Sequence, residues 1–187
     1  VRQVKSGSLV LSGGEERTSR ATLITVPFEQ ETGVLQESGV LWERCDNLYF
    51  SVSKRTFDEG IIALAADPDA LVNNLYYPFG QQVEGHPVLS VTVVKNHPLT
   101  QTELIQKVHE DLDRYCGIQT KTFLKHYSIE KALPRRADLK MELEKPESEN
   151  LKNVFVAGDY LLNGSLNAAM ASGEAAAHAM ANALELT

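Results

Sequence analysis

Apolar and polar positions alternate along most of the chain, then give way near its end to a short apolar run, a polar turn and a long alanine-rich stretch. Val88–Lys95 (V-L-S-V-T-V-V-K) is rich in β-branched residues and predicts a strand. Asn47–Lys54 alternates enough for a half-buried strand, and Leu71–Phe79, closed by Pro78, predicts another. Ile61–Ala66 is an apolar run ended by the turn Asp67-Pro68-Asp69. Strands separated by short turns imply a mostly antiparallel sheet. Pro98–Gly117 predicts a helix. Thr100 and Glu103 stand at capping-box spacing, Leu104, Ile105, Val108, Leu112 and Tyr115 share a face, and Gly117 is placed to end it. Asp111 falls on its charged, solvated side. Gln119–Glu130 predicts a long strand broken by Ala132-Leu133-Pro134, and Asp138–Pro146 a charged loop.

At the N-terminus, Val1–Val4, Ser8–Ser12 and Arg20–Val26 predict three short strands, the last stopped by Pro27. A short helix fits Glu29–Leu35. At the other end, Val154–Ala157 predicts a buried strand, Gly158-Asp159 its end, and Asn163-Gly164-Ser165 a turn. A helix runs from about Leu166 to about Leu184, with Ser165 as N-cap. Leu166, Ala169, Met170, Gly173, Ala177, Met180 and Leu184 recur at near-helical spacing and predict its packed face.

Composition narrows the classes. The chain has 187 residues, 43% hydrophobic and 23% charged, which suits a globular protein. A net charge of −7 argues against a nucleic-acid surface, and Arg135-Arg136 is too short for a basic patch. No apolar run reaches the length of a membrane span, and no signal-peptide pattern opens the chain, so a cytoplasmic protein is expected. Cys45 and Cys116 lack metal spacing and are expected as free thiols; the five histidines are scattered, so no metal site is expected.

The closing stretch, V-F-V-A-G-D-Y-x4-S-L-N-A-A-M-x-S-G-x-A-A-A, resembles the C-terminal flavin motif of the amine oxidase and phytoene desaturase superfamily of FAD enzymes. The S-L-N before the helix looks most like the carotenoid-desaturase branch. The resemblance implies FAD as cofactor, with Gly158 at the strand end and Asp159 near the ribityl or phosphate region. Leu166, Asn167 and Ala168, after Ser165, would offer backbone N–H groups to the flavin ring, whose reduced form gains from the positive helix end. Ala168 stands where the family often has glycine. The family's dinucleotide fingerprint, G-x-G-x-x-G after a strand, is absent. The chain therefore looks like the C-terminal part of a longer enzyme whose N-terminal FAD-binding domain is a missing partner.

On that reading the fold is α/β of an α+β-like kind. Residues 1–27 return strands to the FAD-binding domain, with Thr25-Val26-Pro27 as the return. Residues 28–149 form a substrate-binding domain, a mixed, mostly antiparallel sheet flanked by helices. Residues 150–187 add the C-terminal strand and helix of a truncated Rossmann-like domain. The parent would remove hydride from a C–C or C–N bond of a small hydrophobic substrate, while the fragment would bind FAD weakly or not at all and be inactive. Tyr76, Tyr77, Phe79 and Tyr127 are candidate substrate-lining residues, set against the plainer reading of sheet aromatics. The catalytic residues are left open, and the resemblance leaves room for a homodimer and for peripheral membrane contact of the parent. The alternative is a stand-alone α/β binding or interaction module without flavin.

Overall fold

A computed structural model describes residues 1–27, 40–148 and 150–185. The helix expected over Glu29–Leu35 lies outside the described residues. The architecture is mixed α and β, as expected: eleven strands, two α-helices and one 3-10 turn among the described residues. The chain divides into two compact units, Val1–Trp42 with Leu133–Thr187, and Glu43–Ala132.

The second unit is an antiparallel sheet with one helix. Its strands are β5 (Leu41–Val52), β6 (Ala63–Leu64), β7 (Asn74–Tyr76), β8 (Gln82–Val83), β9 (His86–Val93) and β10 (Thr120–Arg135), and the helix is α1 (Gln101–Cys116). Note that β5 and β10 each run a few residues past the unit boundary. The order is β10-β5-β9-β7-β6, with β8 hairpinned onto β9. Asp46 faces Val93 and Ser51 faces Val88, an unbroken register. That register sends Leu48, Phe50 and Val52 to one side with Leu89, Val91 and Val93. There they meet Leu104, Val108 and Leu112 of α1 in a core that also takes Val72, Leu75, Tyr77 and Ile118.

The helix starts and stops where its caps dictate. Thr100 Oγ1 accepts from Glu103 N at 3.4 Å, and Glu103 Oε2 accepts from Thr100 N at 2.8 Å. Gly117 closes it in the left-handed region at φ 63°. Two positions depart from the sequence expectation. Asp111 is not on the wet side: it is buried, accepting from Leu71 N at 2.6 Å and from Lys107 Nζ at 2.8 Å. The β8–β9 hairpin, not anticipated, turns on Glu84 and Gly85, both at positive φ (51° and 75°), the geometry of a tight two-residue loop.

Pro134 does not break β10, which continues to Arg135. The strand lies at the edge of its sheet, where a residue without an N–H costs no ladder bond.

In the first unit, β1 (Gln3–Lys5), β2 (Ser8–Val10) and β3 (Glu16–Thr18) form an antiparallel meander. Its third strand is Glu16–Thr18 and not Arg20–Val26. All three of its residues are exposed, so no apolar pattern marked it. Within Arg20–Val26, β4 (Thr22–Ile24) instead pairs in parallel with β11 (Val154–Val156). α2 (Leu166–Ala183) packs behind β11. The predicted face of α2 is corrected. Ala168, Ser172 and Ala176 are buried, whereas Leu166 and Met170 are 77% and 66% exposed. The small residues face inward because the helix approaches β11 closely. No helix among the described residues is long and apolar enough to cross a membrane.

Candidate functional site

The end of β11 and the start of α2 are sewn together by backbone and hydroxyl groups. Phe155 and Ala157 are buried against Ala176. Gly158 follows at φ 151° and ψ 153°, and a Cβ there would collide with the Tyr160 ring. Its N–H donates to Ser172 Oγ at 2.9 Å, and that hydroxyl donates to Ala169 O at 3.0 Å. Ser172 is wholly buried. It was not among the predicted site residues, although it sits four residues after Ala168, on the face that does pack.

A 3-10 turn, Asp159–Leu161, carries the chain towards the helix. Asp159 O accepts from Gly164 N at 3.2 Å, which draws the acid's backbone to the turn preceding α2. Gly164 takes φ 59°, and a Cβ on it would press on the Pro134 carbonyl. Ser165 Oγ accepts from Ala168 N at 3.1 Å and donates to Asn163 Oδ1 at 2.6 Å. The cap therefore uses the Ala168 N–H, and Ala168 is buried. Leu166 and Asn167 remain on the exposed opening of the helix. Asp159 is half-buried, and no side chain among the described residues hydrogen-bonds its carboxylate. The neighbouring Tyr160 donates to Val26 O at 3.2 Å, and its burial, helped by the Asp159 charge, pushes the phenol up to about 12. Arg136 donates to Tyr160 O at 2.7 Å and to Asp138 Oδ1 at 2.8 Å. Hydrogen bonding from Arg136 holds the Asp138 carboxyl below its ordinary value. A cleft of about 700 Å³ opens beside this turn, lined by Arg136, Lys140–Lys145 and Leu161.

The structure thus brings Gly158, Asp159, Ser165, Leu166, Asn167 and Ala168 into one strand–turn–helix corner. The N–H groups of Leu166 and Asn167, at exposed residues, and the Asp159 carboxylate have no hydrogen-bond partner among the described residues. These are groups that suit a ligand carrying both acceptors and hydroxyls.

The four aromatic candidates of the second unit separate. Tyr77 lies in the core, its hydroxyl accepting from Thr56 N at 3.3 Å. Phe79 is 74% exposed beyond β7, against Gly60. Tyr76 and Tyr127 share the sheet face turned away from α1. Ser90 is the cross-strand partner of both Tyr49 and Tyr76, and cross-strand partners point to one side. Tyr127 meets Tyr49 edge-on, ring centroids 6.1 Å apart. A row Tyr127–Tyr49–Ser90–Tyr76 therefore crosses four strands. Beside it runs Asn47–Thr92–Asn74. Phe123 contacts Phe50, and His126 contacts Asp46, on the core side of β5. Residues three apart on β10 therefore share a face. The strand shifts its alternation between them, as a bulge does, and this places Tyr127 opposite His126.

On that core side, Asp46 is a hydrogen-bond hub. It meets His126 Nε2 at 2.8 Å, His97 Nε2 at 3.2 Å and Arg44 Nη2 at 3.2 Å, and its side chain is 3% exposed. Burial pushes its carboxyl up, but hydrogen bonds from His126 and Ser128 and the Arg44 charge outweigh it and hold it below its ordinary value. No group of three or more metal-type ligands occurs among the described residues. Cys45 and Cys116 are free thiols.

No protein-family model matches the sequence, and no curated protein matches it. Likeness is found among solved structures. A CLA-producing fatty acid isomerase from P. acnes superposes with TM-score 0.60 at 16% identity, covering 88% of this chain and 42% of that one. An oxidoreductase from Methanosarcina mazei gives TM-score 0.60 at 11% identity, covering 94% and 49%. A protein from Pyrococcus furiosus gives 0.57 at 13%, covering 97% and 44%. The fold is thus one found in an isomerase and an oxidoreductase, and the chain spans less than half the length of each of these three proteins.

Proposed function

We propose that this chain is the C-terminal part of an FAD-dependent oxidoreductase of the amine oxidase and phytoene desaturase type. Such an enzyme takes hydride from a C–C or C–N bond of a hydrophobic substrate, and the bound flavin supplies the electron-accepting chemistry. The observation that carries the reading is the corner itself. Gly164 N–H holds the Asp159 carbonyl while the α2 opening, at Leu166 and Asn167, stays uncovered. The residues fit the cofactor. Gly158 lets the Tyr160 ring close over the strand end and so shapes the corner. Asp159 has a carboxylate with no hydrogen-bond partner among the described residues for a ribityl hydroxyl. The N–H groups of Leu166 and Asn167, at exposed residues, have no partner among the described residues and suit an electron-rich edge. The Ala168 amide holds the cap in place and does not itself reach out.

The parallel pair β4–β11 supports the same reading, since a two-stranded parallel ladder is ordinarily part of a larger covered sheet. The N-terminal domain that would seat the pyrophosphate is the partner this proposal requires, and the present chain alone is expected to be inactive. The test is to express the longest reading frame containing this chain and record its visible spectrum after purification. Flavin absorption in the purified protein, with an FAD affinity that Asp159→Ala lowers about tenfold on titration, supports the proposal. A colourless protein that does not take up added FAD overturns it.

A further inference from the structure

The sheet face opposite α1 is built from hydroxyl and amide side chains whose hydrogen bonds run in one direction. Ser90 Oγ donates to Asn47 Oδ1 at 3.1 Å, and Asn47 Nδ2 donates to the Tyr49 hydroxyl oxygen at 3.2 Å. The direction is fixed by burial. Ser90 is 0% exposed, and Asn47 Oδ1 is the acceptor its hydroxyl has; a flipped Asn47 amide would leave that O–H without one. The Tyr49 oxygen therefore accepts within the chain of bonds, and its proton has no acceptor among the described residues. Successive donors polarise one another, so the last O–H is a stronger donor than an isolated phenol.

A positive charge lies one aromatic ring away from it. The exposed Lys125 ammonium stands 5.5 Å from the Tyr127 ring centroid, and Tyr127 abuts Tyr49. Glu43, the acid on the same side of β5, is six residues from Tyr49, about 20 Å along an extended strand. The Tyr76 and Tyr127 rings on either side of the donor offer apolar contact.

We infer that this face binds the carboxylate end of an elongated apolar molecule, with the Tyr49 hydroxyl donating to it and Lys125 supplying the counter-charge. A hydrogen bond to an ionised oxygen is shorter and stronger than one to a neutral oxygen, so an acid is preferred to the corresponding alcohol. Calling that molecule the substrate rests on the flavin-enzyme reading. The binding itself rests on the sheet alone.

The experiment titrates octanoate, and separately 1-octanol, into the isotopically labelled chain and follows its amide resonances. Octanoate is expected to shift Asn47, Tyr49 and Ser90 saturably, and to bind at least fivefold more tightly than 1-octanol. Tyr49→Phe should weaken it about tenfold. Lys125→Gln, an exposed change that leaves the fold intact, should weaken it about threefold. Equal binding of acid and alcohol, or octanoate binding that neither variant weakens, overturns the inference. Failure of the flavin proposal would be seen separately, as FAD leaving Gly164–Asn167 of the first unit unshifted in the longer protein.

Discussion

The two units solve the burial problem differently. In Glu43–Ala132 the sheet lays a full apolar face against α1, and the core from Leu48 to Ile118 is closed. In the unit of Val1–Trp42 and Leu133–Thr187 the buried clusters are small: one gathers Val4, Ile24 and Val154, the other Phe155, Ala157 and Ala176. Large apolar side chains stay outside in both units, Leu139, Met141, Leu166 and Met170 in this one and Ile62, Leu64 and Phe79 in the other, each at least 66% exposed, so the units differ in their cores and not in their surfaces. The contrast teaches that the two units are held differently: the antiparallel unit by side-chain packing over one large core, the other by small clusters and by backbone hydrogen bonds at one corner.

Substitutions at single positions test that division. The largest effect is expected of Gly158→Ala, whose methyl meets the Tyr160 ring at a backbone geometry that disfavours it. A loss on the order of 4 kcal/mol should appear in the first unit, while amides of Glu43–Ala132 keep their hydrogen-exchange protection. Uniform loss of protection would show that the units are not independently held. Leu112→Ala, at a fully buried position, should cost about 3 kcal/mol and act the other way, on the antiparallel unit. Denaturant unfolding followed by exchange separates the two.

Asp46→Asn should cost about 2 kcal/mol at neutral pH by weakening bonds to His126, His97 and Arg44. Because the folded Asp46 carboxyl titrates below its ordinary value of 3.8, its stabilisation is present above that pH and is lost as pH falls through the folded value. The gap between the variant and the parent chain should therefore close in strong acid. A gap constant down to that range would remove the hub from the account. The smallest effect is expected of Ser165→Ala, which deletes the α2 cap for about 1 kcal/mol and frees the Ala168 amide. Its readout is the hydrogen-exchange protection of the Ala168 amide and the first turn of α2 in the whole chain, with α1 unchanged as internal control.

Much of this was legible in the residues, for identifiable reasons. The α1 caps are local: Thr100, Glu103 and Gly117 specify them within one or two turns of chain. So are the Ser165 cap and the β-branched run of β9. The apolar runs of β5 and β11 also carry their own signal, because burial on one or both faces requires it. Where the signal failed, the deciding contact lay far away in sequence. Glu16–Thr18 is a strand because β2 offers it a ladder, not because its side chains are buried. The α2 face was misassigned because alanine and serine pack inward only where the neighbouring strand comes close. Larger residues, better by hydrophobicity alone, were left outside.

The sequence by itself determined the mixed α/β class, the positions of both helices and the strand–turn–helix corner from Val154 to Ala168. Each depends on propensities and caps acting over a few residues. Only the tertiary structure decided that Thr22–Ile24 lies parallel to Val154–Val156, that Pro134 sits inside an edge strand, and that Ser172 closes onto Gly158. It alone set Tyr76, Tyr49 and Tyr127 in one row while sending Tyr77 into the core. Register and the alternation shift in β10 fix which side of a sheet each residue meets, and both arise from pairing between strands that are distant along the chain.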